Sequence, residues 1–310
     1  MIDTDHIPAP SQAPLRAATV GTFDGVHRGH RLVLDTLHRE AAAAGLQPAV
    51  ITFSRHPLEV IAPHRAPKQI VTVAEKCCLL RREKVEVILL DFDRRMMEMS
   101  AREWMLHMQR DMGVRLIVVG HDNTFGTDGR SLSATDYVNL GRSLGIKTIV
   151  APVVEGCSSS LARHAIADGD MCRATEILGR PYSLTGTVVT GDRLGRTIGF
   201  PTANLAIDAP ERRLLPPFGV YLTSARLEDG TPMPAITNIG VRPSVSNRDE
   251  IRIETHILDF DADIYGQRLT IDLLQRLRPE QRFASLPELQ AAIAADEAEA
   301  RRLFPLELQP

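Results

Sequence analysis

Residues 21–30 read GTFDGVHRGH, and their setting decides how the first half of the chain folds. The preceding LRAATV (15–20) is short, partly apolar and tolerant of β structure. The following RLVLDTLHREAAAAG (31–45) carries Val33, Leu37, Ala41 and Ala44 at helical spacing, with Gly45 as its stop. GTFDGVHRGH is therefore a strand-to-helix turn, with His27 and His30 at the start of the helix. Free backbone N–H groups and the positive end of the helix dipole suit that place to phosphate. Gly21, Gly25 and Gly29 permit tight backbone and close approach of a ligand, and Phe23 and Asp24 share the turn. An H-x-x-H pair on a helix is also an ordinary capping, core or surface feature. The turn has neither the G-K-[ST] of a Walker loop nor the G-x-G-x-x-G of a dinucleotide fold. A zinc site on the two histidines lacks an evident third ligand.

The same alternation continues. PAVITF (48–53), VEVILLDF (85–92), VRLIVVG (114–120) and KTIVAPVV (147–154) are short, apolar and rich in β-formers. Between them VAEKCCLLRREK (73–84), SAREWMLHMQRDMG (100–113) and SATDYVNLGRSLG (133–145) suit helices, the second opening on a Ser100 cap with Glu103 three residues on. Strands alternating with helices predict a parallel sheet covered on both faces. Ligands of such sheets sit beyond the carboxyl ends of the strands, where GTFDGVHRGH, TFSRHP (52–57) and GHDNTFG (120–126) fall.

Near LGRPYSL (178–184) the texture changes to short strands with turn signals: SLTGTVVTGD (183–192), FGVYLTSARL (218–227), MPAITNIG (233–240), IRIETHILDF (251–260) and QRLTIDLLQRL (267–277). Ile251, Ile253, Thr255 and Ile257 alternate, which leaves Glu254 and His256 on the opposite face. The expectation is a closed or nearly closed antiparallel barrel. The last long segment, LPELQAAIAADEAEARRLF (286–304), returns to helix, with Leu286, Leu289, Ile293 and Ala300 on its apolar side. The expected organisation is a loose lead-in over 1–14, an α/β domain over 15–180 closed by a helical pair at about 159–179, and a barrel domain over 181–310.

The composition of the 310 residues, 44% hydrophobic and 24% charged with a net charge of −3, is that of an ordinary globular protein. Through Arg180 there are 22 basic and 21 acidic residues, then 14 and 18, so neither part has the basic field of a nucleic-acid binder. No stretch approaches the roughly 18 apolar residues of a membrane span. The first fourteen residues show no apolar core or Lys/Arg leader, so no secretory signal is expected. Cys77, Cys78, Cys157 and Cys172 form no C-x-x-C pair and read as reduced thiols of a cytoplasmic protein. The oligomeric state is left open. In EGCSSSLARHAIADGD (155–170), Ser158, Ser159 and Ser160 precede a helix with Arg163 in its first turn. A plain serine cap with a surface arginine explains this. Beside the histidine turn it is also a candidate clamp for the tail of a triphosphate.

GTFDGVHRGH followed by TFSRHP, VVGHDNTFG (118–126) and SSSLAR (158–163) resembles the adenylyltransferase module of bacterial bifunctional riboflavin kinase/FAD synthetases, which are HIGH-containing nucleotidyltransferases. LGRPYSLTGTVVTGDRLGRTIGFPTANL (178–205), GVY (219–221), NIGVRP (238–243), ETHILDF (254–260) and LRPEQRF (277–283) resemble the riboflavin kinase module in its usual order. The resemblance spans nearly the whole chain. It implies a Rossmann-like nucleotidyltransferase domain followed by a β-barrel kinase domain with a terminal helix. It further implies phosphorylation of riboflavin to FMN, then adenylylation of FMN to FAD, with ATP and Mg²⁺ at each step and pyrophosphate released at the second.

Phosphoryl transfer needs a metal, a phosphate cradle and an oriented hydroxyl. Gly191, Gly195 and Gly199 suit a flap, Arg196 adds a cation, and Thr202 and Asn204 offer neutral oxygens suited to a Mg²⁺ that brings its own phosphate oxygens. GFPTAN also fits a proline-containing strand turn, and Glu254 an exposed strand carboxylate. The resemblance places metal and nucleotide at Thr202 and Asn204, the base for the ribityl hydroxyl at Glu254, and a flavin-side arginine at Arg278. It places Asp122 near the flavin or nucleotide, His27 and His30 at the reacting end of a triphosphate, and Gly21, Phe23, Asp24, Gly25 and Gly29 of the same turn, with Ser158, Ser159 and Arg163, against the nucleotide. Two positions depart from the family pattern: Leu161 replaces the first arginine of S-[ST]-[ST]-R-x-R, and Asn123 stands where an aromatic is usual. Alternatives are a kinase with a degenerate, flavin-nucleotide-binding first domain, and a non-catalytic flavin carrier, for which a catalytic carboxylate would be superfluous.

Overall fold

Strand β1 (Arg16–Val20) is buried along its whole length. In a computed structural model, which describes residues 14–120, 124–191, 194–228, 230–242 and 250–304, it is the centre of a five-stranded parallel sheet. Helix α1 (Arg28–Ala44), β2 (Gln47–Phe53), α2 (Pro57–Ile61), α3 (Val73–Arg82), β3 (Glu86–Leu90), α4 (Arg94–Glu98), α5 (Ala101–Asp111), β4 (Val114–Val119), α6 (Ala134–Ser143) and β5 (Lys147–Val150) follow. The strand order is β3-β2-β1-β4-β5, with every pairing parallel. Neighbours in β1 serve opposite faces. Ala17 packs with Leu34 and Leu37 of α1 and Leu80 of α3, whereas Ala18 packs with Trp104, Met105 and Met108 of α5. A strand covered on both sides shows no alternation of apolar and polar residues, and its buried Arg16 is paired with Glu86 at 2.7 Å.

The expected caps are formed. Ser100 Oγ accepts from the Glu103 amide at 3.3 Å and the Glu103 carboxylate accepts from the Ser100 amide at 2.7 Å. Gly45 ends α1 at φ 64°. Strand β5 stops at Val150, short of the expected 154, and Val153 is exposed. It lies at the sheet edge, and Pro152 offers no N–H to a ladder. The five-residue helices α2 and α4 were not expected, being too short to show a period.

By its contacts the chain divides into two units, Met1–Ser159 and Ser160–Pro310. At the boundary, α7 (Ser159–Asp168) begins; in the second unit it and α8 (Met171–Leu178) are followed by β6 (Tyr182–Val189), a single turn α9 (Leu194–Thr197), β7 (Ala203–Ile207), β8 (Gly219–Leu227), β9 (Met233–Arg242), β10 (Glu250–Ile257), β11 (Arg268–Pro279) and α10 (Leu286–Leu303). The six strands close as β10-β7-β6-β11-β8-β9, all antiparallel. The barrel was expected, but β7 was hidden in GFPTANL, where the proline favoured a turn.

Inside the barrel the hydroxyls of Thr223, Thr237 and Thr255 form a chain at 2.9 and 3.0 Å, so these buried polar groups satisfy one another. Ile253, Thr255 and Ile257 are buried as expected, but Ile251 is 45% exposed. Strand β7 pairs with β10 only at Glu254 and Thr255, so nothing from β7 covers Ile251. Helix α10 packs through Ala300 and the following Phe304 against Val220, Leu222 and Ile236, with Ile293 alongside. Leu286, in its first turn, is exposed rather than part of that face.

Candidate active sites

The histidine turn is strained and tightly held. Phe23 and Val26 have φ of 49° and 40°, and Gly25 lies between them at 84°. Left-handed backbone at a β-branched residue is costly and persists only when its surroundings over-determine it. Here Phe23 and Val26 are buried, and the carboxylate of Asp24 accepts from the amides of Ile70 at 3.0 Å and Val71 at 3.3 Å. Ser159 Oγ donates to the Asp24 carbonyl at 2.8 Å, drawing the serine segment onto the turn. Gly29 is close-packed there, since a Cβ would stand 3.2 Å from the Cys157 carbonyl and 3.1 Å from the His27 ring. Gly21 is similarly close-packed, 3.3 Å from the Phe23 ring.

His27 is the N-cap of α1 and His30 its third residue, and they cap each other. The His30 amide donates to His27 Nδ1 and the His27 amide to His30 Nδ1, both at 3.3 Å. The rings stack at 3.7 Å, with Phe23 against His30 at 4.8 Å. Since each Nδ1 is an acceptor, each neutral ring carries its proton on Nε2. Burial, assisted by the nearby His27 and Lys76, holds the His30 pKa well below its ordinary 6.5. His30 therefore presents a neutral N–H donor rather than imidazolium charge. The cap engages only the His30 amide of the first helical turn, leaving those of Arg28 and Gly29 outside it. Among the described residues no three His, Cys, Asp or Glu side chains converge on a metal position.

Not every expected group of this unit stands at an open site. Asp24, read as a nucleotide group, is 6% exposed and spends its carboxylate on the fold. Ser158 lies just before α7 and Ser159 begins it, while Arg163, in its second turn, is half-buried and Leu161 exposed. Asp122 and Asn123 lie outside the described residues, as does the Arg196 side chain.

In the barrel unit a cavity of about 430 Å³ brings together Thr202, Asn204, Glu254 and Arg278 between walls that include Ile198 and Phe200. Glu254 and Asn204 face each other across the β10–β7 ladder. Thr202 and Asn204, two apart, share one face. Gly191 and Gly195 are glycines for a physical reason. A Cβ at Gly191 would stand 2.2 Å from Asn204 Nδ2, and one at Gly195 would stand 2.3 Å from the Phe200 carbonyl. Arg252 approaches Glu254 at 3.8 Å. Arg278 lines the cavity but is held by Asp296 of α10, Nε to Oδ1 at 2.9 Å and Nη2 to Oδ2 at 2.7 Å, with Phe283 beneath it at 5.6 Å. His256, on the same face as Glu254, bonds through Nδ1 to the Pro201 carbonyl at 2.7 Å and fixes the approach to Thr202.

The alternation placed His256 on the face of Glu254 but assigned it no role; its bond to the Pro201 carbonyl supplies one. Asp296, which is joined to Arg278 only by tertiary packing, carried no signal. Neither did Lys76, buried beneath the histidine turn.

Two family models cover this chain: FAD synthetase over residues 10–162 and riboflavin kinase over 178–304. It is 38% identical over 304 residues to the bifunctional riboflavin kinase/FMN adenylyltransferase of Escherichia coli K12, covering 96% of each chain. The protein of that name from Pseudomonas fluorescens is 39% identical, with 92% of each chain covered. That from Bacillus subtilis is 34% identical, with 92% of this chain and 91% of the relative covered. The chain belongs to the bifunctional riboflavin kinase/FMN adenylyltransferase family.

A crystal structure of a macrolide-efflux protein from Streptococcus pneumoniae shares its fold, with a TM-score of 0.85, 32% identity and 97% of both chains covered. No helix among the described residues is long and apolar enough to cross a membrane. Within the family frame, the parallel-sheet unit is the FAD synthetase part and the barrel with its terminal helix the riboflavin kinase part.

Proposed function

We propose that this chain converts riboflavin to FMN in its barrel unit and FMN to FAD in its parallel-sheet unit, consuming one ATP at each step. The observation that carries the reading is the meeting of Glu254, Thr202 and Asn204 in one largely apolar cavity, of a size suited to a flat aromatic substrate. In the first step the ribityl 5′-hydroxyl of riboflavin attacks the γ-phosphorus of ATP. The new O–P bond forms as the bond to ADP breaks, and Glu254 accepts the hydroxyl proton. Thr202 and Asn204 are neutral oxygen donors, and the glycine backbone lies directly on them, a setting that fits Mg²⁺ carried in by the nucleotide. Bound there, Mg²⁺ would neutralise charge on the transferring phosphate. Gly191 and Arg196 belong to the flap over that nucleotide, and Arg278, aligned by Asp296, borders the flavin.

In the second step a phosphate oxygen of FMN attacks the α-phosphorus of ATP and the bond to pyrophosphate breaks. No covalent enzyme intermediate is required, so placement and charge stabilisation suffice. The Nε2–H groups of His27 and His30, the first amides of α1 and the serine segment at 158–159 are the donors for that phosphate chain. Asp24 supports the turn rather than touching nucleotide. Asp122 is assigned to flavin binding in the same step.

Labelled ATP tests the reading. Given riboflavin, γ-labelled ATP should label FMN and FAD alike, whereas α-labelled ATP should label FAD alone. An α-label that never enters flavin would leave only the kinase. A γ-label that never does would refute the assignment of Glu254.

A further inference from the structure

Helix α3 buries one lysine in the parallel-sheet unit that neither step above uses. Lys76 is 7% exposed, and its Nζ donates to the carbonyls of Thr22 at 3.1 Å and Phe53 at 2.7 Å. Phe53 ends β2, and Thr22 lies just past the end of β1, so the ammonium ties together the roots of GTFDGVHRGH and TFSRHP. An ammonium has three donors, and the third meets no acceptor among the described residues.

Two carbonyls alone do not call for a cation, and a buried charge is costly unless paired. The carboxylate that acts on it, Asp24, is already engaged by the amides of Ile70 and Val71. Lys76 lines a small pocket with Thr22, Asp24, Phe53, Arg55 and His56, so further basic groups gather at the same carboxyl edge of the sheet. The surplus of positive charge beside the paired histidines fits a polyanionic reactant.

We propose that Lys76, in its charged form, is a positioning residue for adenylyl transfer: it clamps the two strand ends beneath the histidine turn and keeps a buried positive charge there. The inference rests on the adenylyltransferase reading above. Its charge is sensitive to pH, because burial lowers its pKa from 10.5 to about 8 against the opposing pull of Cys77 on its own helix and of Asp24. The other groups facing it are His30 from α1 and Arg55 and His56 after β2. Burial raises the Cys77 pKa, against the opposing effect of Lys76 and Arg81. The second ionisation of a phosphate monoester lies near pH 6 and adds no limb here.

The test is kcat/KM for FAD formation from FMN and Mg-ATP between about pH 6.5 and 9.5, in the wild type, Lys76→Arg and Lys76→Met. Riboflavin phosphorylation by the same samples is the internal control. The wild type should fall along an alkaline limb with an apparent pKa of about 8. Lys76→Arg should be active but without that limb, since a guanidinium keeps its proton. Lys76→Met should be about 10–100-fold slower at pH 7, the loss expected for a charged donor, with phosphorylation unchanged.

An unmoved limb in Lys76→Arg, a flat wild-type profile, or full activity in Lys76→Met overturns the proposal. Should Lys76→Met fail to fold, the wild-type and Lys76→Arg profiles decide. A wild type that forms no FAD at any pH refutes the adenylyltransferase reading itself, whereas an active wild type with a flat profile refutes only the part given to Lys76.

Discussion

A methyl group added at Gly195 should disable the kinase and spare the adenylyltransferase. Its Cβ would stand 2.3 Å from the Phe200 carbonyl oxygen and 3.3 Å from Thr202 Oγ1. Non-bonded heavy atoms rest at roughly 3.5 Å, so about 1 Å of movement is forced. No side-chain rotation relieves it, because the clash is with backbone and the turn is closed on itself. The amides of Ile198 and Phe200 both donate to the Gly195 carbonyl, at 3.2 and 2.8 Å. The displacement passes along the chain to Thr202, one of the two oxygens proposed to hold the metal. A misplacement of about 1 Å near a reacting group costs on the order of 100-fold. Gly195→Ala should therefore lower kcat/KM for FMN formation about 100-fold, read by chromatography of flavins from riboflavin and Mg-ATP. FAD formation from supplied FMN should be unchanged in the same sample. Wild-type FMN formation by a variant that melts normally would show that the flap does not bear on Thr202 during turnover.

Glu254→Gln removes the proposed base and should cut FMN formation by roughly 10²–10⁴ without touching FAD formation from FMN. If both activities vanish in a folded variant, the two sites are not independent. His30→Ala should do the reverse in a coupled assay, suppressing FAD while FMN accumulates. His30 also makes stability depend on pH: its pKa is lowered on folding, so below about 6.5 the unfolded chain takes up a proton that the native turn refuses. Stability of the parallel-sheet unit should therefore fall as pH drops through 6.5 and below, and denaturation of His30→Gln at pH 7.5 and 5.5 should show a smaller difference than the wild type. Asp296→Ala strands a largely buried Arg278 and should cost the barrel unit about 3 kcal/mol in urea unfolding, with Asp296→Asn costing less.

What was legible in the sequence is what local chemistry decides. The apolar runs of β1 to β4, the Ser100–Glu103 cap and the Gly45 stop all follow from short-range rules. The two histidines were legible as a helix start, whereas GFPTAN and ETHILDF were joined only by the family resemblance; β7 and β10 are neighbours that set Asn204 opposite Glu254.

The rest depended on distant contacts. Asp24 looked like a ligand group because turn acids often are, yet the amides that claim it come from a loop 46 residues away. Lys76 sits in a helix whose charged residues otherwise read as solvated, and only the three-way junction of α3, β2 and the histidine turn buries it. Ile251 kept the alternation of its strand but lost its cover where β7 ends.

The account stands most directly on a time course of the purified full-length chain with riboflavin and excess Mg-ATP, resolving riboflavin, FMN and FAD while pyrophosphate is measured. FMN should appear first and then decline as FAD rises, with one pyrophosphate released for each FAD. Riboflavin left unchanged, or FMN that accumulates to completion with no FAD and no pyrophosphate, would contradict a two-step enzyme.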